Sequence, residues 1–296
     1  MQGRTRRLRR TPGLTLVASA KQTEYHGHPA VALQSSDGAR ATILLHGGHL
    51  VSWVPAGGEE QLYVSPTSQY GEGQAVRGGV PVIFPQFSSR GTLPRHGLVR
   101  TRGWRLGDTT SHGQHAQAVL RFAADDATRA LWPHEFEAEI TASIIGKQLD
   151  IEFAVTNTGD TPFEFTVALH TYLRTNDVLK AQLEGLQGIK YEDNTTGQWQ
   201  QQWGDVTQVV GEIDRLYHDA ANPLTLRELG RRVSIAHADF TDVVVWNPGP
   251  GRAAQLGDLP DGDWQRMLCV EAARVIDPVT LPPGEEWAGM QTLIAG

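Results

Sequence analysis

The sequence predicts an all-β fold, and three observations carry that prediction. From residue 29 onward apolar and polar residues alternate with a period of two, turn-forming residues interrupt the alternation every eight to twelve positions, and apolar residues at helical spacing are scarce. So many short strands are best buried as two packed sheets, giving a large antiparallel β-sandwich with one concave face left open for a site. At 296 residues the chain suits one large β domain, and no repeat of fixed period, linker or composition shift divides it. The reading is a basic, disordered tail over residues 1–20 and a single domain over residues 21–296.

The elements follow in chain order. The head, MQGRTRRLRRTPGLTLVASA, has the charge of a signal peptide, but its apolar part is short and broken by Pro12, Gly13 and Thr15. Residues 41–45 and 49–54 read as two strands around His46-Gly47-Gly48, and residues 117–123 as another. Residues 136–145 lead to a turn at Gly146-Lys147. The next strand is the clearest, with Leu149, Ile151, Phe153 and Val155 on one face and Asp150, Glu152 and Thr156 on the other. After the turn at residues 157–160, Phe163, Phe165, Val167 and Leu169 alternate inward, so parity puts His170 on the open face. Residues 185–215 are polar and amide-rich, which suggests an excursion or a hairpin over the sheet. Residues 233–236, 243–246, 267–273 and 287–294 supply the closing strands.

Composition excludes several classes. No apolar run is long enough to cross a bilayer as a helix. The formal charge is −7 although five arginines crowd the first ten residues, so the body is more acidic still and general nucleic-acid binding is disfavoured. The single cysteine, Cys269, forms no intramolecular disulfide and sits in an apolar run as a small core residue, consistent with a reducing, cytoplasmic compartment. The histidine pairs 26/28, 46/49 and 112/115 lack cysteines or a helical acidic partner at metal-ligand spacing. Glycine clusters at 47–48, 57–58 and 78–79 fit neither a P-loop nor a dinucleotide fingerprint. No metal and no cofactor is expected.

Against this background the stretch from Val76 to Trp104, VRGGVPVIFPQFSSRGTLPRHGLVRTRGW, stands out. It places Arg77, Arg95, Arg100 and Arg102 around His96 among glycines and prolines that cannot continue a helix or a central strand, as a cationic loop for an anionic ligand would. Its segments RGGVPVIFPQF and LPRHGLVR resemble the signature of the hexose-6-phosphate mutarotases, the glucose-6-phosphate 1-epimerase branch of the aldose 1-epimerase family. ALWPHEF (residues 130–136), FTVALHTYLR (165–174) and MLCVEAARV (267–275) follow in that family's order, so the resemblance runs from about Arg40 to the C-terminus. It implies a sandwich of the galactose mutarotase type with the sugar on a concave sheet face.

It also implies roles for residues that are ambiguous alone. Glu271, a carboxylate within MLCVEAARV, faces a burial cost unless its strand is an edge or it pairs with Arg274; the resemblance makes it the general base. The unperturbed imidazole of a histidine such as His170 can give and take a proton near neutrality, and its ALHTY motif matches the general acid. A base at the C1 hydroxyl and an acid at the ring oxygen open the cyclic hemiacetal, and rotation and reclosure give the other anomer. Asp214 resembles the aspartate that accepts hydrogen bonds from sugar hydroxyls, His96 a histidine near the ring, and Arg77 and Arg100 arginines that hold the substrate. Arg95 departs from the family, which often has a small or amide residue there; it either adds phosphate affinity or points outward. The expectation is a monomeric isomerase interconverting the anomers of a small-molecule sugar phosphate, most plausibly glucose 6-phosphate. Two alternatives stay open: an epimerase of free aldoses such as galactose, and a non-catalytic carbohydrate-binding sandwich using Trp53, Trp203, Trp246 or Trp264 as stacking platforms.

Overall fold

The computed structural model describes residues 16–220 and 223–296. Most of the expected tail, residues 1–15, lies outside the described residues, and the expected boundary at residue 20 is too late, because the first strand, Ser19–Tyr25, already pairs with His28–Gln34. Among the described residues no helix is long and apolar enough to cross a membrane.

Three antiparallel sheets make up the fold. The nine-stranded sheet runs Val206–Thr207, Gln182–Glu184, Leu224–Glu228, Arg231–Ala238, Glu286–Ala295, Gln148–Asn157, Phe136–Ile145, His115–Ala123 and Arg105–His112. The eight-stranded sheet runs Gln198–Gln201, Lys190–Asp193, Ile213–Tyr217, Asp242–Asn247, Met267–Leu281, Phe163–Leu169 and Val82–Ile83, with Tyr172–Arg174 pairing beside Met267–Leu281. The inward residues of both, such as Ile140, Ile151, Phe153 and Leu293 from one and Val167, Leu169, Val245 and Val270 from the other, form one apolar core. A four-stranded meander of residues 19–54 adds Val31, Leu33, Ile43 and Trp53 to it. Trp53 is fully buried, which removes it from the expected stacking platforms.

The alternation works as expected in the central strands. Leu149, Ile151, Phe153 and Val155 are buried while Glu152 is exposed. The polar segment 185–215 is not laid over the sheet: its hairpin, Lys190–Asp193 with Gln198–Gln201, pairs onto Ile213–Tyr217 and lengthens the eight-stranded sheet at its edge. Two buried polar groups tie the molecule together. Gln291 reaches from the nine-stranded sheet to donate to the Val270 carbonyl and accept from the Thr171 hydroxyl. Asp242 accepts the backbone N–H groups of Val275 and Ile276 at 2.7 and 2.8 Å, beside the register shift in that strand, and pairs with His218 at 3.0 Å.

Candidate active site

The outer face of the eight-stranded sheet carries a cleft of about 1020 Å³, and all seven sequence-predicted residues line it: Arg77, Arg95, His96, Arg100, His170, Asp214 and Glu271. Strand register explains the convergence. Along Met267–Leu281, Leu268, Val270 and Ala272 enter the main core, whereas Cys269, Glu271 and Ala273 turn to the cleft face. Leu169 pairs with Ala272 and Tyr172 with Cys269, so His170 stands directly opposite Glu271 across the two chains. Opposed residues in an antiparallel pair hold their Cβ atoms about 5 Å apart, and here Nδ1 of His170 lies 3.2 Å from Oε1 of Glu271. The next row, Asp214, Trp246, Cys269 and Tyr172, crosses four strands on the same face.

Glu271 is 1% exposed on a central strand, so it is not an edge residue, and Arg274 is turned away to the carbonyl of Asp277. Nδ1 of His170 and Oε2 of Glu271 are buried without a hydrogen-bond partner among the described residues. Burial, with a smaller push from Asp214, raises the Glu271 carboxyl well above its ordinary value. Burial first, then His96, Arg77 and Arg100, holds the His170 imidazole well below its ordinary value. Cys269 beside them is a buried thiol raised by the same burial, in keeping with its expected core role.

The His170 ring is fixed on several sides. Its backbone N–H donates to the Pro81 carbonyl at 3.0 Å, and its ring stacks on Tyr172 with centroids 4.8 Å apart and planes 11° from parallel. Trp246 and His96 meet it edge-on at 5.9 and 5.6 Å. His96 has a left-handed backbone, φ 65°, and its Nδ1 accepts the Ser88 N–H at 3.3 Å. Burial and the neighbouring Arg100 and Arg95 push its pKa down to about 3, so the neutral ring keeps its proton on Nε2 as a donor.

The arginines differ in their pairing. Arg77 donates through Nε and Nη2 to both oxygens of Asp258, each at 3.1 Å, and through Nη1 to the Tyr172 hydroxyl at 3.2 Å. Burial opposes its charge, but Tyr172 and Asp258 more than offset that. It is followed by Gly78 and Gly79, both at positive φ, where a Cβ would strike the carbonyls of Tyr63 and Leu50. Arg100 donates to the Arg95 carbonyl at 3.0 Å and has no carboxylate at ion-pair distance among the described residues; burial brings its pKa down to about 10. Arg95 is exposed on the cleft wall, equally without an ion pair, so it does not simply point outward. Arg102 does not belong to the group: it leaves the cleft and pairs with Asp125 at 3.4 Å.

At the opposite end Asp214 is raised by burial, partly offset by a 2.7 Å hydrogen bond from Asn194. Arg90 holds that amide in place, donating to Asn194 Oδ1 at 2.9 Å and to Glu192 at 2.8 Å. The sequence reading missed Tyr172, Asp258, Asn194 and Arg90. Tyr172 was findable, being two residues from His170 and so on the same face; the others come from loops and a turn without alternation. Of the aromatic candidates only Trp246 lines the cleft, while Trp203 is 76% exposed elsewhere and Trp264 packs into the core. Five of the six paired histidines make local contacts: His46 and His49 with the carbonyls of Gln74 and Gly78, His26 and His28 with the Tyr70 ring, and His115 with Ser143.

A profile of the family described as Aldose 1-epimerase matches residues 29–293. A protein of Cenchrus ciliaris named "Putative glucose-6-phosphate 1-epimerase" is 32% identical over 91% of this chain and 85% of its own length. One of the same name from Escherichia coli (strain K12) is 34% identical over 79% of each chain. The crystal structure of a "putative mutarotase" from Salmonella typhimurium superposes with a TM-score of 0.86 at 27% identity, covering 96% of this chain and 95% of that one.

Proposed function

The chain belongs to the aldose 1-epimerase family, and from that premise we propose that it interconverts the α and β anomers of an aldohexose 6-phosphate, with glucose 6-phosphate as the first substrate to test. The observation that carries the reading is a cleft with an opposed imidazole and carboxylate at its floor and, on its wall, Arg95 and Arg100 without a carboxylate at ion-pair distance among the described residues. Glu271 as a carboxylate takes the proton of the C1 hydroxyl while His170 as an imidazolium gives its proton to the ring oxygen. The C1–O5 bond breaks, and the C1 oxygen becomes the aldehyde carbonyl. After rotation about C1–C2, C1 is attacked by the C5 hydroxyl, whose proton returns to His170 as Glu271 reprotonates the C1 oxygen. The pair ends with the proton count it began with. Asp214 accepts from sugar hydroxyls, and Nε2–H of His96 donates to an oxygen near the ring.

The phosphate falls to Arg100 and Arg95, loop arginines beside His96 with no carboxylate at ion-pair distance among the described residues, with Arg77 preoriented by Asp258 beside them. A charge-assisted hydrogen bond contributes about 1.5–3 kcal/mol, roughly a factor of 10 to 100. The test is kcat/KM for glucose 6-phosphate and for glucose on wild type and two variants. Wild type is expected to prefer the phosphorylated sugar by about two orders of magnitude or more. Arg100→Ala is expected to lose about ten- to a hundredfold on it with no loss on glucose, and Arg77→Ala to lose less, because Asp258 already offsets that charge. Equal efficiency on both sugars in wild type would replace this reading with the free-aldose one.

A further inference from the structure

The phosphate end and the reacting end of the cleft are joined by one side chain. Tyr172 is buried, lies flat on the His170 ring and accepts a hydrogen bond from Arg77. Resting on the hexose 6-phosphate reading, we propose that the bound phosphate dianion is an activator of the chemistry as well as a handle: it moves the one proton of the His170–Glu271 pair from the carboxyl to the imidazole.

The two partners sit in different fields. His170 feels burial, His96, Arg77 and Arg100, all of which oppose a charged imidazolium, whereas the neighbour acting on Glu271 is Asp214, which opposes a carboxylate. The other charged and titratable groups that line the cleft are Arg95 on the loop, Asp258 bound to Arg77, Tyr172 and Cys269 alongside, and, toward Asp214 and the rim, Arg90 paired with Glu192, Glu212, and Arg252 bound to Gln255. With the cleft free of anions the pair therefore rests as carboxyl and neutral imidazole, the wrong state for Glu271 to act as base. Arg77 reaches the pair through Tyr172 and the loop through His96, both of which lie against the His170 ring, so a dianion on Arg77, Arg95 and Arg100 weakens the cationic field more at His170 than at Glu271. The proton crosses the 3.2 Å gap, giving imidazolium and carboxylate, with no net change in protons. Hydroxyls donating to Asp214 act in the same sense by tempering the charge that Glu271 feels.

The experiment splits the substrate into pieces. Xylose, an aldopentose that lacks C6, is anomerised by wild type with and without phosphite dianion, subtracting the enzyme-free rate at each concentration because oxyanions catalyse the reaction weakly in solution. Saturating phosphite is expected to raise kcat for xylose at least tenfold. Phosphite that competes with glucose 6-phosphate yet leaves the xylose kcat unchanged overturns the proposal. Should phosphite bind too weakly to compete, the intact sugars decide: kcat on glucose 6-phosphate must exceed that on glucose at least tenfold, and equal kcat with a difference in KM alone overturns it. That last result leaves the substrate reading standing, whereas equal kcat/KM removes the substrate reading itself. A direct view comes from the ¹⁵N shifts of the His170 imidazole, assigned against His170→Asn. They are expected to move to the doubly protonated pattern when glucose 6-phosphate saturates the cleft at neutral pH, and shifts that stay at the neutral pattern overturn the proposal.

Discussion

Glu271 is a carboxylate that the fold keeps dry, and that single fact makes two predictions. Replacing it with Gln preserves shape but abolishes the base, so anomerisation is expected to fall by about two to four orders of magnitude, read by polarimetry on the purified variant. Because burial raises the folded-state pKa, the folded chain binds this proton more tightly than the unfolded chain does. Its contribution to stability is then complete below the ordinary carboxylate value and is lost as pH rises through the raised one. Glu271→Gln should match wild type in acid and melt at a progressively higher temperature than wild type as pH increases; parallel melting curves at every pH would show that the carboxyl is not raised. His170→Asn should lower kcat by a similar factor, with KM little changed. The oddness of Glu271 was legible in an apolar run. Its partner was not, since only the register between two strands brings residues 170 and 271 face to face, and one-dimensional alternation gives a face without an opposite number.

At the scale of elements, the Lys190–Asp193 hairpin acts as a bracket for Asp214. Asn194 lies in its turn and donates to Asp214, while Arg90 from the arginine loop locks the amide. Asn194→Ala is expected to raise KM about three- to tenfold, the value of one ordinary hydrogen bond, and to leave kcat within twofold. An equal fall in kcat would mean that Asp214 bonds the transition state selectively. The far ends of the same strands are held by His218, whose imidazole is raised chiefly by its hydrogen bond to Asp242, with Asp219 and Asp277 adding to it. That contribution is complete below the ordinary histidine value and disappears as pH rises through the raised one, so His218→Asn should flatten the pH dependence of the melting temperature on the alkaline side of that value. Unchanged slopes in both proteins would dismiss the clamp. Strands with strict alternation, such as Gln148–Asn157, could be drawn from the sequence almost to the residue. The hairpin could not, because its edge position leaves its side chains polar on both faces. The arginine loop was legible as a cluster, but which arginine already has a carboxylate depends on Asp258, far along the chain.

For the whole molecule, the sandwich was legible and its third sheet was not, because the meander of residues 19–54 alternates like any other strand group and betrays no allegiance to either large sheet. What locks the two large sheets beneath the cleft is a polar contact inside an apolar core, Gln291 with Thr171 and Val270. Gln291→Leu takes the side-chain donor from the buried Val270 carbonyl and leaves the Thr171 hydroxyl only its longer contact to the Leu169 carbonyl, and is expected to cost about 1–3 kcal/mol, read from urea unfolding. A variant as stable as wild type would show that those groups find other partners. Arg77, finally, is anchored by two glycines whose backbone is pressed against Tyr63 and Leu50, so the path of the chain there does not depend on which side chain position 77 carries. The proton-transferring pair, meanwhile, belongs to the central strands. The loop arginines tune that pair electrically without building it, so a library varied at positions 77, 95 and 100 explores new molecular tails on one inherited backbone frame, and the turnover of each member reads out how its own loop charge sets the reaction centre.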